Sequence, residues 1–332
     1  MQEKPNVLQV IPTLNISGAE QGCFDVANYL TNNQIQSHIA TSSGYRIDEL
    51  IKKGTYIYKI PVNSKNPIVI LINIFRILNI VKKNEINIIH ARSRAPAWSC
   101  YFAARLANVK FITTFHGTYN FNNKLKKFYN SIMIKGDHII AISNFIFKEI
   151  RNKYSHCQEN ISVILRGINT DILDPSLSNL NIVKEVIKKY SLRDRSIKII
   201  LPGRVSFWKG HEIAIEAMAI LKKKLDKDFE CIFVGPENNL KLKKFLINKI
   251  NFLKLENNVK FIGPSKEMNL IYMMADIVLS CSTDPEAFGR VPIESQSMGK
   301  VVVASNHGGH VETISLGLSG FLYSPTKPNE LA

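Results

Sequence analysis

Short runs of β-branched residues alternate with helical patterns along almost the whole of this 332-residue chain, and that alternation admits few folds. A strand apolar on both faces must be covered on both. In one continuous chain this means parallel strands joined by crossover helices. The runs Asn6–Pro12, Ile57–Val62, Ile86–His90, Lys110–Phe115 and His138–Ser143 make a first series of expected strands. Lys198–Pro202, Cys231–Gly235, Val259–Gly263, Asp276–Ser280 and Val301–Ser305 make a second. Between them, Gly167–Asn181 contains Asn, Asp, Ser and Pro without a sustained period, and reads as a linker. The expectation is an α/β chain of two parallel-sheet domains, 1–166 and 182–332, facing a cleft. Ligands in such sheets bind outside the carboxyl ends of the strands.

Composition narrows the function. A chain of this length holds two apolar cores, and 45% hydrophobic with 21% charged residues is ordinary for a folded protein. The formal charge of +16 is not ordinary, and predicts attraction to an anionic partner such as a nucleotide, nucleic acid or acidic lipid. Lysine runs such as Lys222-Lys223-Lys224 on solvated helix faces account for part of the excess equally well. The lysines are dispersed and not interleaved with aromatics on one face, which disfavours nucleic acid. Five cysteines are scattered without a C-x-x-C pair, against a disulfide framework or structural zinc and for a reducing compartment. The first apolar run is too short and proline-broken for a signal peptide. Ile68 to Val81, crossed by a polar stripe of Asn73, Arg76 and Asn79, reads as a buried amphipathic helix, below spanning length. The expected location is cytoplasmic, with at most peripheral contact to an anionic inner membrane face.

Familiar nucleotide signatures are missing. No G-x-x-x-x-G-K-[ST] occurs, which removes the P-loop. The residues after the first strand, Asn15-Ile16-Ser17-Gly18-Ala19-Glu20-Gln21-Gly22, are not G-x-G-x-x-G, which disfavours an NAD-binding domain. Gly18 still permits a turn into a helix N-terminus, where an anion is favoured; a plain strand-to-helix turn fits as well.

Several elements sit where strands end. In Gly203 to Gly210, Arg204 and Lys209 offer a planar donor fork and a point charge suited to a diphosphate; a solvated basic loop is the bland reading. Glu286 is expected in a loop and Glu294 in the first turn of a helix opening near Pro292. Carboxylates there accept sugar or ribose hydroxyls; an ordinary loop charge and a helix-dipole partner are the alternatives. Phe288-Gly289 between them reads as an exposed aromatic beside a shaped backbone. Gly308 and Gly309 open a helix and present backbone N–H groups to phosphate. His307 and His310 lack a convergent third metal ligand. Phe115-His116-Gly117 ends a first-domain strand, where His116 reaches a ligand or simply caps the sheet, and Arg92 and Arg94 follow the strand beside it.

Together these elements resemble the retaining GT-B glycosyltransferases of family 4. The matching residues are E-x7-E (Glu286, Glu294), G-R-x4-K-G (Gly203 to Gly210), G-G-x-x-E (Gly308, Gly309, Glu312), Ala275-Asp276, Gly18-Ala19-Glu20 and Phe115-His116-Gly117. Ser93 to Ser99 is similar to members that build lipopolysaccharide and other surface glycans. The resemblance implies two Rossmann-like domains, with the acceptor bound by the first and a nucleotide-sugar donor by the second. It implies Glu294 on the ribose, Glu286 and His116 on the transferred sugar, and Arg204 and Lys209 on the departing diphosphate. Gly18, Phe288, Gly289, Gly308 and Gly309 would shape the donor site. It implies no metal and no cofactor, consistent with reading Asp226-Lys227-Asp228 as a solvated turn. The acceptor is expected to be a lipid-linked saccharide or cell-envelope glycan. The competing reading is a shortened, inactive relative that binds nucleotide sugars or polyanions. The linker reads Arg166-Gly167-Ile168-Asn169 where the family has N-G-[VI]-D, and Pro328 to Ala332 stands where final helices are expected to begin.

Overall fold

A computed structural model describes residues 5–15, 17–119, 123–154, 160–177 and 179–332. Ile16, Cys157 and the first four residues, on which parts of the sequence reading fall, lie outside the described residues. Residues 1–166 and 167–332 make two compact units, each built on its own parallel sheet.

The first unit contains β1 (Val7–Val10), β2 (Ser37–Thr41), β3 (Tyr56–Lys59), β4 (Ile88–Ala91), β5 (Lys110–Phe115), β6 (His138–Ala141) and β7 (Ile161–Val163), in the order β3-β2-β1-β4-β5-β6-β7. The second contains β8 (Ile197–Pro202), β9 (Phe229–Val234), β10 (Val259–Phe261), β11 (Ile277–Ser280), β12 (Val301–Ser305) and β13 (Gly320–Tyr323), in the order β10-β9-β8-β11-β12-β13. Each chain path runs outward from its first strand one way, then returns and runs the other way. The switch points therefore lie between β1 and β4 and between β8 and β11, where the loops at the strands' carboxyl ends part and leave room for a ligand.

Alternation along β8 shows how the second sheet is held. Ile199 and Leu201 enter one apolar cluster with Phe233 and Met218, while Ile200 enters the other with Ile232, Val278 and Tyr272. Each such side chain contributes roughly 1.5–3 kcal/mol by leaving water, and covering both faces accounts for the unbroken apolar runs. Three strands are additional to the expected ones. β2 reads Ser-His-Ile-Ala-Thr, yet all five residues are buried because it lies between β1 and β3. β7 and β13 are short edge strands, and β13 opens on Gly320, where an added Cβ would press on the Val302 carbonyl.

The helix Pro67–Lys83 corrects one expectation. Its polar stripe is divided, with Arg76 and Asn79 exposed but Asn73 not. Asn73 is buried and donates to the Pro61 carbonyl at 2.9 Å, while Ile68, Leu71, Ile72 and Phe75 are exposed. Asn73 turns inward because it is needed to cap the end of the β3 connection. Among the described residues, no helix is long and apolar enough to cross a membrane. Cys23, Cys100, Cys231 and Cys281 are buried free thiols.

Candidate functional site

In the second unit, the loop after β8 and the loop after β11 flank the switch point. They are pressed together at Gly210, whose φ of 72° is left-handed. An added Cβ there would overlap the Cys281 carbonyl oxygen, so only glycine fits. The Thr283 N–H donates to the Trp208 carbonyl at 2.8 Å and ties the same two loops. This contact brings Lys209 to Glu286. The ammonium donates to Glu286 Oε1, as does Ser282 Oγ at 2.6 Å, and Lys209 Nζ also lies 4.4 Å from the Trp208 ring centroid. Burial acts to raise the Glu286 pKa, but the Lys209 charge and the hydrogen bonds from Lys209 and Ser282 outweigh it. The carboxyl is held below its ordinary range.

Arg204 is placed differently from Lys209. It is exposed and lines an open cavity of about 680 Å³ with Phe207, Trp208, Asn238 and Asp284. The expected pair of fixed cations is thus one fixed cation and one that has no carboxylate within ion-pair distance among the described residues.

Glu294 lies in the second turn of the helix Arg290–Ser297, not in its first, and the helix-dipole account weakens accordingly. Both its oxygens are held. Tyr272 Oη donates to Oε2 at 2.7 Å, and Arg290 donates to Oε1 from Nε at 3.0 Å and Nη2 at 2.7 Å. Burial, then the Glu294 charge and hydrogen bond, push the Tyr272 phenol well above its usual pKa. Glu286 and Glu294 are organised by separate partners.

Further expectations are corrected. Phe288 is only 6% exposed: its ring joins the interior, and its backbone packs on Gly309, where a Cβ would overlap it. The Gly309 N–H is not open to an anion, because it donates to the Glu286 carbonyl at 2.7 Å. The paired glycines let two loops close on each other: a Cβ on Gly308 would crowd the Glu286 backbone, and Gly289, at φ 91°, leaves space for the His310 ring. His310 uses both ring nitrogens within the fold, Nε2 with Ser280 Oγ at 2.9 Å and Nδ1 with Ser305 at 3.1 Å. Burial holds its pKa down at about 4. His307 Nε2 donates to the Ser282 carbonyl at 2.8 Å. Asp226 and Asp228 sit in an exposed turn before β9, at the amino edge of the sheet, with Asp228 paired to Arg193 at 2.9 Å.

In the first unit, Ser17 caps the helix Gly18–Asn32 that follows β1, its hydroxyl accepting from the Glu20 N–H at 3.4 Å. Arg92 and Arg94 turn into the fold. Arg92, 3% exposed, donates to Gln9 Oε1 at 2.6 Å; Arg94 donates to Asn130 Oδ1 at 2.9 Å and covers the Tyr119 ring. His116 follows β5 and is partly buried. Its Nδ1 is 3.4 Å from Arg166 Nη2, and its Nε2 is buried with no hydrogen-bond partner among the described residues. Arg166 also donates to the Gly18 carbonyl.

Sequence reasoning missed Tyr272, Ser282, Arg290 and Arg166 as organisers. Only Arg290 had a legible signal, four residues before Glu294 on a helix. The others act across elements remote in the chain.

Residues 16–172 match the family described as Glycosyltransferase Family 4, and residues 183–332 the family described as Glycosyl transferases group 1. The crystal structure of a glycosyltransferase from Rickettsia africae ESF-5 is similar at 39% identity with a TM-score of 0.90, over 99% of this chain and 86% of that one. Anabaena Alr3699/HepE, solved in complex with UDP and glucose, is similar at 21% identity with a TM-score of 0.84, over 99% and 88%. Spore coat protein SA of Bacillus subtilis strain 168 is 22% identical over 251 residues, 73% of this chain and 66% of its own length. The chain therefore spans slightly less than two thirds of that relative.

Proposed function

This chain belongs to the family 4 glycosyltransferases, and from that premise we propose that it moves a sugar from a nucleotide-sugar donor to a lipid-linked saccharide or cell-envelope glycan, with retention of anomeric configuration. The observation that carries the reading is the Lys209–Glu286 pair at the β8/β11 switch point. A diphosphate arriving there meets an ammonium already fixed in place and the exposed guanidinium of Arg204. Both stabilise the negative charge that grows as the glycosidic bond breaks. Glu286, ionised at neutral pH, accepts hydroxyls of the transferred sugar. Glu294, held rigid by Tyr272 and Arg290, accepts the ribose hydroxyls. Within the first unit, His116 and the helix opening at Gly18 are the groups suited to a hydroxyl and to an anion. Arg204 and Lys209 provide the charge neutralisation this role asks for, so the reading includes no cofactor and no metal. The structural likeness to a UDP-bound enzyme makes UDP-sugars the first donors to test.

Contact with an anionic membrane is part of the proposal. The helix Pro67–Lys83 packs on Arg94–Ala107, which meets Lys124–Ser131 through Trp98 and Phe128 at 5.2 Å. These neighbours expose Ile68, Leu71, Ile72, Phe75, Phe102, Leu106, Leu125 and Phe128, with Lys124, Lys126 and Lys127 exposed beside the last two. Apolar side chains with lysines suit an acidic lipid surface.

The test is release of nucleoside diphosphate from a panel of nucleotide sugars, with and without vesicles containing anionic lipid. Glu286→Ala is expected to lose activity by about 100-fold or more. Unchanged turnover in that variant would remove the site assignment. Failure to co-sediment with the vesicles at low salt would remove the membrane contact alone.

A further inference from the structure

We infer that Arg166 is a positioning residue: it fixes His116 in the Nε2–H tautomer and makes the imidazole a hydrogen-bond donor to a hydroxyl oxygen of the substrate. A guanidinium has five N–H donors and no acceptor, so the contact between Arg166 Nη2 and His116 Nδ1, 3.4 Å, requires Nδ1 to accept. In a neutral ring the proton then resides on Nε2. That nitrogen is buried and has no partner among the described residues, an arrangement that costs free energy until something accepts the hydrogen bond. A ligand oxygen is what the geometry lacks.

The ring stays neutral for reasons visible around it. Burial lowers its pKa furthest, and the nearby charges that act on it, from Arg166, Arg92 and His90, all lower it further. The arginine itself is anchored from two sides. It donates to the Gly18 carbonyl in the first turn of the helix after β1, and it lies against Gly22, where any Cβ would overlap the guanidinium. One side chain from beyond β7 thus ties the helix start after β1 to the histidine after β5. A histidine with Nδ1 occupied and Nε2 protonated has no lone pair with which to take a proton. His116 therefore orients and polarises a hydroxyl and does not act as a general base. The substrate part of this inference rests on the glycosyl-transfer reading above; the tautomer part does not.

The test uses the full chain with ring-labelled histidine, assigned through His116→Gln, and reads the imidazole nitrogen spectrum at pH 7 without donor. Wild type and Arg166→Lys, whose ammonium also only donates, are expected to show neutral Nε2–H at His116. Arg166→Met is expected to lose that single form, with kcat for sugar transfer down about tenfold, the equivalent of one hydrogen bond, and KM for the donor within about twofold. Should Arg166→Met fail to fold, Gly22→Ala displaces the same guanidinium from beneath and takes its place. An Nδ1–H or imidazolium signal in wild type, or an Arg166→Met spectrum (or, in its place, a Gly22→Ala spectrum) identical to wild type, overturns the inference. Because the spectrum is read without donor, a protein that transfers no sugar leaves the tautomer result intact and fails the functional reading separately.

Discussion

The two switch points share an architecture and differ in charge. In the second unit, anions and cations meet directly: Glu286 with Lys209, and Glu294 with Arg290. In the first, the groups acting on His116 are the arginines 92 and 166 and the imidazole of His90. The second site is an ion pair assembled before any ligand arrives, stiff and costly to break. The first is a set of donors in which Arg92 and Arg166 have acceptors within the fold, Gln9 and the Gly18 carbonyl, and His116 Nε2 has none among the described residues. The same kind of parallel-sheet framework can thus hold preorganised carboxylates at one site and a donor set at another, because the loops after the strands differ.

The largest expected effect comes from breaking the assembled pair. Lys209→Ala leaves Glu286 poorly solvated and without its counter-charge, and is expected to cost about 3 kcal/mol of stability in urea unfolding. Lys209→Ala with Glu286→Gln is expected to recover most of that loss. If single and double variants unfold alike, the pair is not the organising contact.

Next come the glycines. Gly210→Ala places a Cβ against backbone at a left-handed φ and is expected to cost about 2–3 kcal/mol. Gly22→Ala meets only the far end of a flexible arginine in a helix, and is expected to change stability by less than about 1 kcal/mol. Equal losses in the two variants would mean that the first unit is packed as rigidly as the second.

A separate effect, read per buried ring, is with pH. His310 and His211 have folded pKa values near 4 because burial disfavours the charged rings. Between about 4 and 6.5 the unfolded chain binds more protons at these positions than the folded one, so stability rises with pH through that window and is complete above it. Going from pH 7 to pH 5 is expected to cost about 2 kcal/mol per histidine, measured by chemical unfolding. His310→Gln should lose less than wild type over the same change; an identical loss would contradict a buried neutral ring at that position.

Much of this fold was legible because parallel strands carry their signature locally. The ten expected strands are all present, two with the same ends, Lys110–Phe115 and Val301–Ser305. β2 was not legible because its polar residues are buried by neighbours rather than by their own pattern. The exposed face of Pro67–Lys83 was only partly legible, because Asn73 turns inward while Ile68, Leu71, Ile72 and Phe75 stay exposed beside Arg76 and Asn79. At the site, motif spacing brought Lys209 and Glu286 into view. It could not show that the Gly309 amide is occupied or that Phe288 is interior, since both depend on a loop folded against another loop.

What the sequence determined by itself was the pair of sheets, the family, and the residue types gathered at strand ends, since periodicity and motif spacing are properties of neighbours along a chain. What only the tertiary structure decided was who holds whom: Tyr272 on Glu294, Ser282 with Lys209 on Glu286, Arg166 on His116. Lys209 and Glu286 lie 77 residues apart, and Arg166 and His116 lie 50 apart. Hydrogen bonds act over about 3 Å, so such partnerships exist only once the strands between them have been laid side by side.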